Sequence, residues 1–127
     1  MIVLDASVLI AHLSERDVHH ERAVRLLEES AGEALGVNTV NLAEALVEPA
    51  QKGKLREARA AIERLGVIEL PFGADAHVRL AELRAKSGHK LPDCCVLLAA
   101  KEIGGVVASF DSALTEAAKS LKLITVS

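Results

Sequence analysis

The sequence contains no tryptophan and no tyrosine, and its two phenylalanines, Phe72 and Phe110, bring aromatics to 2% of 127 residues. That scarcity counts against modules that read single-stranded RNA by stacking bases on aromatic platforms. Cysteine is also scarce: Cys94 and Cys95 are the only two, and they are adjacent. Neighbouring cysteines bridge only with strain, so both read as reduced core residues in an apolar, helix-like segment. With no second cysteine pair and with scattered histidines, zinc has no ligand set. Long hydrophobic runs are missing too. Stretches such as CCVLLAA are far too short to cross a bilayer. The first residues carry no basic n-region, and Asp5 interrupts their apolar run, so no signal peptide is read and the expected location is cytoplasmic. Repeats, low-complexity tracts and linkers are absent.

What is present is an ordinary core composition, 50% hydrophobic and 26% charged. It fits one domain over residues 1–127. Short apolar runs alternate with segments of helical period. Strands are expected at 2–4, 34–37, 67–70, 106–109 and 123–126. Helices are expected from about Ala6 to Leu13, from about Val18 to Ser30, and through NTVNLAEALVEPAQKG as far as Pro49 or Gly53. The amphipathic KLREARAAIERLG follows, with Leu55, Ala58, Ile62 and Leu65 on one face. Further helices run from about Ala74 to Lys86, through LPDCCVLLAAKEIGG, and through DSALTEAAKSL. Strands alternating with helices imply a parallel sheet covered on both faces. Such folds place their sites at the carboxyl ends of strands.

Four acids stand at informative places. Asp5 directly follows the first strand, in MIVLDASVLI, where a carboxylate in an apolar run needs a reason. Asp111 follows VVASF near the end of the fourth strand. If those strands are neighbours, both acids reach one crevice. Asp93 opens an apolar helix after Pro92. Glu44 lies in NLAEALVE, where a helical wheel puts Asn41, Glu44 and Glu48 on a polar face. Each acid has an ordinary alternative: Asp5 and Asp111 as N-caps, Asp93 as a first-turn acid favoured by the helix dipole, Glu44 as a solvated side chain. Taken together, converging carboxylates repel unless a cation joins them. An oxygen-only set suits Mg²⁺ or Mn²⁺ rather than zinc, and metal-assisted phosphodiester hydrolysis is the matching chemistry. The net charge is then less surprising: without these four carboxylates, −3 becomes +1.

The elements VLDASVLI, TVNLAEAL, LPDCCVLLAA and VVASFDSAL, in this order and spacing, resemble the PIN-domain family, and within it the VapC-type ribonuclease toxins of toxin–antitoxin pairs. The resemblance covers essentially the whole chain. It implies a three-layer α/β/α domain with a central parallel sheet of about five strands, and a Mg²⁺- or Mn²⁺-dependent endoribonuclease acting on RNA. The family's acidic quartet falls on Asp5, Glu44, Asp93 and Asp111, as catalytic residues and metal ligands. Ser7, Ser109 and Asn41 match supporting positions. The resemblance also implies a homodimer and a cognate antitoxin. Apolar faces around Val8, Leu9 and Leu13 and on the 55–65 helix are candidates for a groove that takes an amphipathic partner; the alternative, favoured by the usual burial of an amphipathic stripe, is that they pack on the sheet. His89 and Lys90, just before LPD, are the better candidates for substrate contact; Arg84 and Lys86 are weaker ones.

Rival folds fit less well. A phosphoacceptor receiver domain needs an acceptor Asp after its third strand, where this chain reads VIELPFG. A haloacid-dehalogenase-type phosphatase needs Asp-x-Asp after its first strand, where Asp5 is followed by Ala6 and Ser7. Two readings within the family stay open: an RNA-processing nuclease without a toxin role, and a catalytically silent binding module.

Overall fold

Each strand is short because only a few residues lie between the helical layers and need to be apolar on both faces. In the computed structural model, which describes residues 1–127, β1 (Ile2–Leu4) leads through α1 (Ala6–Leu13) and α2 (His20–Glu29) to β2 (Leu35–Asn38). Next come α3 (Thr39–Gln51), α4 (Leu55–Arg64) and β3 (Val67–Leu70), then α5 (Ala76–Ser87) and α6 (Leu91–Ile103). The chain closes with β4 (Val106–Ala108), α7 (Ser112–Ser120) and β5 (Ile124–Val126). All pairings are parallel, and the strand order is β3-β2-β1-β4-β5. The expected three-layer α/β/α architecture is therefore observed. No helix is long and apolar enough to cross a membrane.

The strand period of two sorts β1 between two cores. Ile2 and Leu4 join Val8, Leu9, Leu26, Leu27, Val37 and Ile62 on one face. Val3 joins Val96, Leu97, Val107 and Leu114 on the other. Cys94 and Cys95 are unbridged and buried, as expected. The order of strands puts a topological switch between β1 and β4: successive strands move outward from β1 on one side and from β4 on the other. Crevices of this kind open at the carboxyl ends of the two strands. Here Leu4 pairs with Ala108, so Asp5 and Ser109 leave the sheet side by side.

Several boundaries differ from expectation, each for a local reason. The helix α2 starts at His20, not Val18, because the Asp17 carboxylate captures the His19 N–H at 2.8 Å and holds a turn there. Val18 is left 89% exposed. The helix α3 continues through Pro49 and ends at Gln51, just before the other expected stop, Gly53. Proline there removes one hydrogen bond, and the turn is closed by Lys52 N–H to Glu48 O (3.0 Å) and Lys54 N–H to Pro49 O (2.8 Å). Asn41, expected on a polar face, is completely buried, because α3 is packed by α1, α4 and α6 together. Val8 and Leu9 are fully buried in the core, since α1 lies against the sheet, α2 and α3; for these two the packing alternative holds and the groove does not.

Gly105 enters β4 where the chain passes the start of β1. A Cβ built there would stand 2.8 Å from the Met1 carbonyl oxygen, the same oxygen that accepts from Val106 N–H at 3.0 Å. A backbone atom tied into the sheet cannot yield as a side chain would. Gly105→Ala is therefore expected to cost about 1–3 kcal/mol, as overpacking does. Urea unfolding should show a lower midpoint at unchanged slope.

Candidate active site

The site is built outward from Asp5. Its N–H donates to Ala108 O at 2.9 Å, extending the β1–β4 ladder by one bond. Its backbone is extended, as at an N-cap, but the side chain makes no capping bond. Instead Asp5 Oδ2 accepts from Ser7 Oγ at 2.7 Å and from Ser109 Oγ at 2.9 Å. Those hydroxyls in turn accept backbone N–H groups, Ser7 Oγ from Phe110 (3.2 Å) and Ser109 Oγ from Asp111 (3.0 Å). Each serine thus ties the end of β1 to the β4–α7 link. Asp5 is 8% exposed and Ser109 fully buried. The carboxylate is not a cap; it is a buried acceptor fixed by two donors, with Oδ1 left uncommitted.

Asp111 caps α7, its Oδ1 accepting from Ala113 N–H (2.9 Å) and Leu114 N–H (3.2 Å). The capping reading holds for this residue, and it leaves Oδ2 free at the exposed rim. Asp93 stands in the first turn of α6. Its carboxyl is pushed above the usual carboxylate range, by burial first and then by the charges of Asp5 and Asp111; His89 and Lys90 pull the other way. The structure therefore brings Asp5, Asp93 and Asp111 within one another's field, with His89 and Lys90 beside them. Arg84 donates instead to the carbonyls of Gly88 (2.6 Å) and His89 (3.0 Å), so it braces the loop before α6 rather than facing a substrate.

Glu44 stands on α3, linked to the start of α6 through Asn41. Asn41 Nδ2 donates both to Glu44 Oε1 (3.2 Å) and to Pro92 O (3.0 Å). The buried amide so pins α3 to the start of α6 and holds the Glu44 carboxylate by one oxygen. Asn41 Oδ1 is buried with no protein partner. Burial, the neighbouring Cys94 and the Glu44 charge together push the Cys95 thiol up to about 11, so this cysteine stays a neutral core residue.

As the side chains stand, no three His, Cys, Asp or Glu groups meet closely enough to hold an ion. The reason is in the bonds just given. One oxygen each of Asp5, Glu44 and Asp111 is engaged by protein donors, and mutual repulsion opposes closer approach of the rest. The donor chemistry nevertheless fits a hard divalent cation: the four acids offer carboxylate oxygens and no thiolate, with the His89 imidazole beside them. Sequence reasoning missed the surroundings of Phe110. The Arg22 guanidinium lies 4.6 Å from the centre of its ring, and the His19 ring lies 5.3 Å away, tilted by 44°. No sequence pattern links α2 to the residue before Asp111.

Residues 2–120 match the PIN domain family. No curated protein matches the chain. Among solved structures, the fold is similar to VapC20 of Mycobacterium tuberculosis, a sarcin-ricin loop cleaving toxin. That pair has a TM-score of 0.77 and 21% identity over 92% of this chain and 95% of the other. A toxin-antitoxin complex from Klebsiella pneumoniae gives 0.74 and 20%, covering 88% of each chain. FitAcB from Neisseria gonorrhoeae gives 0.75 and 23%, over 100% of this chain and 97% of that one. At these identities the likeness is one of fold.

The raised Asp93 has a consequence for stability. Its folded pKa lies above the unfolded value of 3.8, so the ionised form burdens the folded state at neutral pH. In metal-free buffer, Asp93→Asn is expected to unfold at a higher temperature than the parent at pH 7. The gap should close as the pH falls through the raised value towards 3.8. Thermal melts across that range, with chelator present, measure it.

Proposed function

Since the chain belongs to the PIN-domain family, we propose that it is a metal-dependent endoribonuclease that hydrolyses RNA phosphodiester bonds as the toxin of a toxin–antitoxin pair. The observation that carries this is the Asp5 carboxylate, buried at the β1–β4 switch and fixed by Ser7 and Ser109, in one field with Asp93 and Asp111. Burying a carboxylate is costly, and this one caps nothing. Its two hydroxyl bonds tie β1 to the β4–α7 link and leave Oδ1 free for a ligand, which is what the nuclease reading uses.

Asp5, Glu44, Asp93 and Asp111 are the residues that would hold Mg²⁺ or Mn²⁺. When bound, such an ion supplies an activated water and stabilises charge developing on phosphate. The protein's own part is orientation. The serine hydroxyls fix the Asp5 carboxylate plane, Asn41 holds Glu44 by one oxygen, and the α7 cap fixes Asp111. His89 and Lys90 bring positive charge to the same rim, where an RNA backbone would otherwise meet only acids.

An antitoxin helix has a groove to occupy. Ile10 and Leu13 of α1, Val47 of α3 and Ala58 and Ala61 of α4 line it, and Ile10 and Val47 are exposed. Charged residues rim it, Glu44 among them. A partner lodged there would lie against one wall of the catalytic cleft. The toxin–antitoxin complex among the similar folds supports this pairing. A homodimer and a cytoplasmic setting accompany the same reading.

Purified chain should cleave a mixed RNA pool with added Mg²⁺ or Mn²⁺ and stop on adding EDTA. Asp5→Asn, Asp93→Asn and Glu44→Gln are expected to lose several kcal/mol of transition-state stabilisation. That is a rate loss on the order of a thousandfold, with far-UV circular dichroism unchanged. Asp111→Asn should lose less, because asparagine keeps the cap. Expression of the parent should arrest growth, and Asp5→Asn should not. A folded Asp5→Asn that cuts as fast as the parent ends the site assignment. Cleavage without growth arrest would favour an RNA-processing role.

A further inference from the structure

Arg22 is unusual among the basic residues. The ion pairs of the structure are Lys52–Glu48 and Arg79–Glu102. Arg22 has no carboxylate partner and makes no side-chain hydrogen bond. Its guanidinium is instead laid over Phe110 at 4.6 Å from the ring centre. Phe110 lies between Ser109, which donates to Asp5, and Asp111. Its own N–H donates to Ser7 Oγ, and its ring packs against the apolar core. The platform is thus fixed on both sides to the acidic cleft. His19 meets the same ring at 5.3 Å.

Stacking on an aromatic face uses the flat side of a guanidinium and leaves its in-plane N–H groups free. Those groups form a fork that fits a phosphate with two parallel hydrogen bonds. A half-buried arginine with all its donors unused, held one residue from a carboxylate of the cleft, is suited to an anion that arrives with the substrate. His89 and Lys90 act on Asp93 from the start of α6, whereas Arg22 comes from α2 to Phe110, the chain neighbour of Asp111.

We infer that Arg22, seated over Phe110 and attended by His19, clamps a backbone phosphate of single-stranded RNA adjacent to the phosphate being cut. This rests on the nuclease reading of the cleft. It also assigns the scarce aromatic residue a use other than base stacking: Phe110 is a positioning residue for the arginine.

The experiment measures binding of a short mixed-sequence single-stranded RNA by fluorescence anisotropy across a salt series, in the full chain carrying Asp93→Asn so that the RNA stays intact. Adding Arg22→Ala should weaken binding about five- to tenfold near physiological salt, and the slope of log K against log salt should become shallower by about 0.7, the value of one single-strand phosphate. Arg22→Lys should keep the slope and lose a smaller factor, because the charge remains and the fork is gone. Phe110→Leu should also keep the slope and raise KM for cleavage about threefold at unchanged kcat when tested without Asp93→Asn. Unchanged affinity and slope in a folded Arg22→Ala overturn the clamp. So does a loss confined to binding of a partner protein, which would assign Arg22 to that contact. A parent that cuts no RNA, with the Arg22 effect on RNA binding intact, would sink the nuclease reading and the clamp's place beside a scissile phosphate, and leave Arg22 as an RNA phosphate contact.

Discussion

Two serine hydroxyls converging on one oxygen of Asp5 hold the functional end of this molecule together. Hydrogen bonds to a charged group contribute about 1.5–3 kcal/mol each, which offsets much of the cost of keeping a carboxylate out of water. They do more than stabilise a charge. Ser7 belongs to α1 and Ser109 follows β4, and each hydroxyl also receives a backbone N–H from the β4–α7 link. The pairing of β1 with β4 brings these groups together, and the side chains then fix the angle at which two loops leave the sheet. Asp5 cannot turn without breaking both bonds.

Around that fixed point the remaining acids are in electrostatic conflict. Asp93 is held above the ordinary carboxylate range by its burial and by the charges of Asp5 and Asp111. Asn41 binds Glu44 while its own carbonyl oxygen stays unpartnered. Local rules that are broken together at one end of a sheet mark a functional site rather than a poor fold. The same strain explains why the carboxylates stand apart here and why a divalent cation would draw them together.

Much of this was legible in the sequence. The strand-helix alternation gave the layers, and the positions of Asp5 and Asp111 after their strands located one crevice once β1 and β4 proved adjacent. What failed was the orientation of α3. A helical wheel has no way to count three neighbouring helices, so it put Asn41 on a polar face without showing that this part of the face is buried. For Val8 and Leu9 the choice between groove and core stayed open until the fold was seen: in a short, largely apolar helix, periodicity does not say which apolar residues meet the core. Pro49 looked like a stop but costs the last turn only one bond. Arg22 over Phe110 was invisible because the contact joins distant segments, and neither residue belongs to a motif. The scarcity of aromatics was correctly noted, yet it said nothing of where Phe110 stands.

The central claim is that the carboxylates at the β1–β4 switch form one metal centre. The most direct measurement is anomalous scattering from a crystal of the parent protein soaked in Mn²⁺. The account predicts a manganese peak between Asp5, Asp93 and Asp111, with carboxylate oxygens drawn in to about 2–2.3 Å, as hard-cation coordination requires. Manganese bound elsewhere, with this cleft empty and its acids still apart, would contradict it.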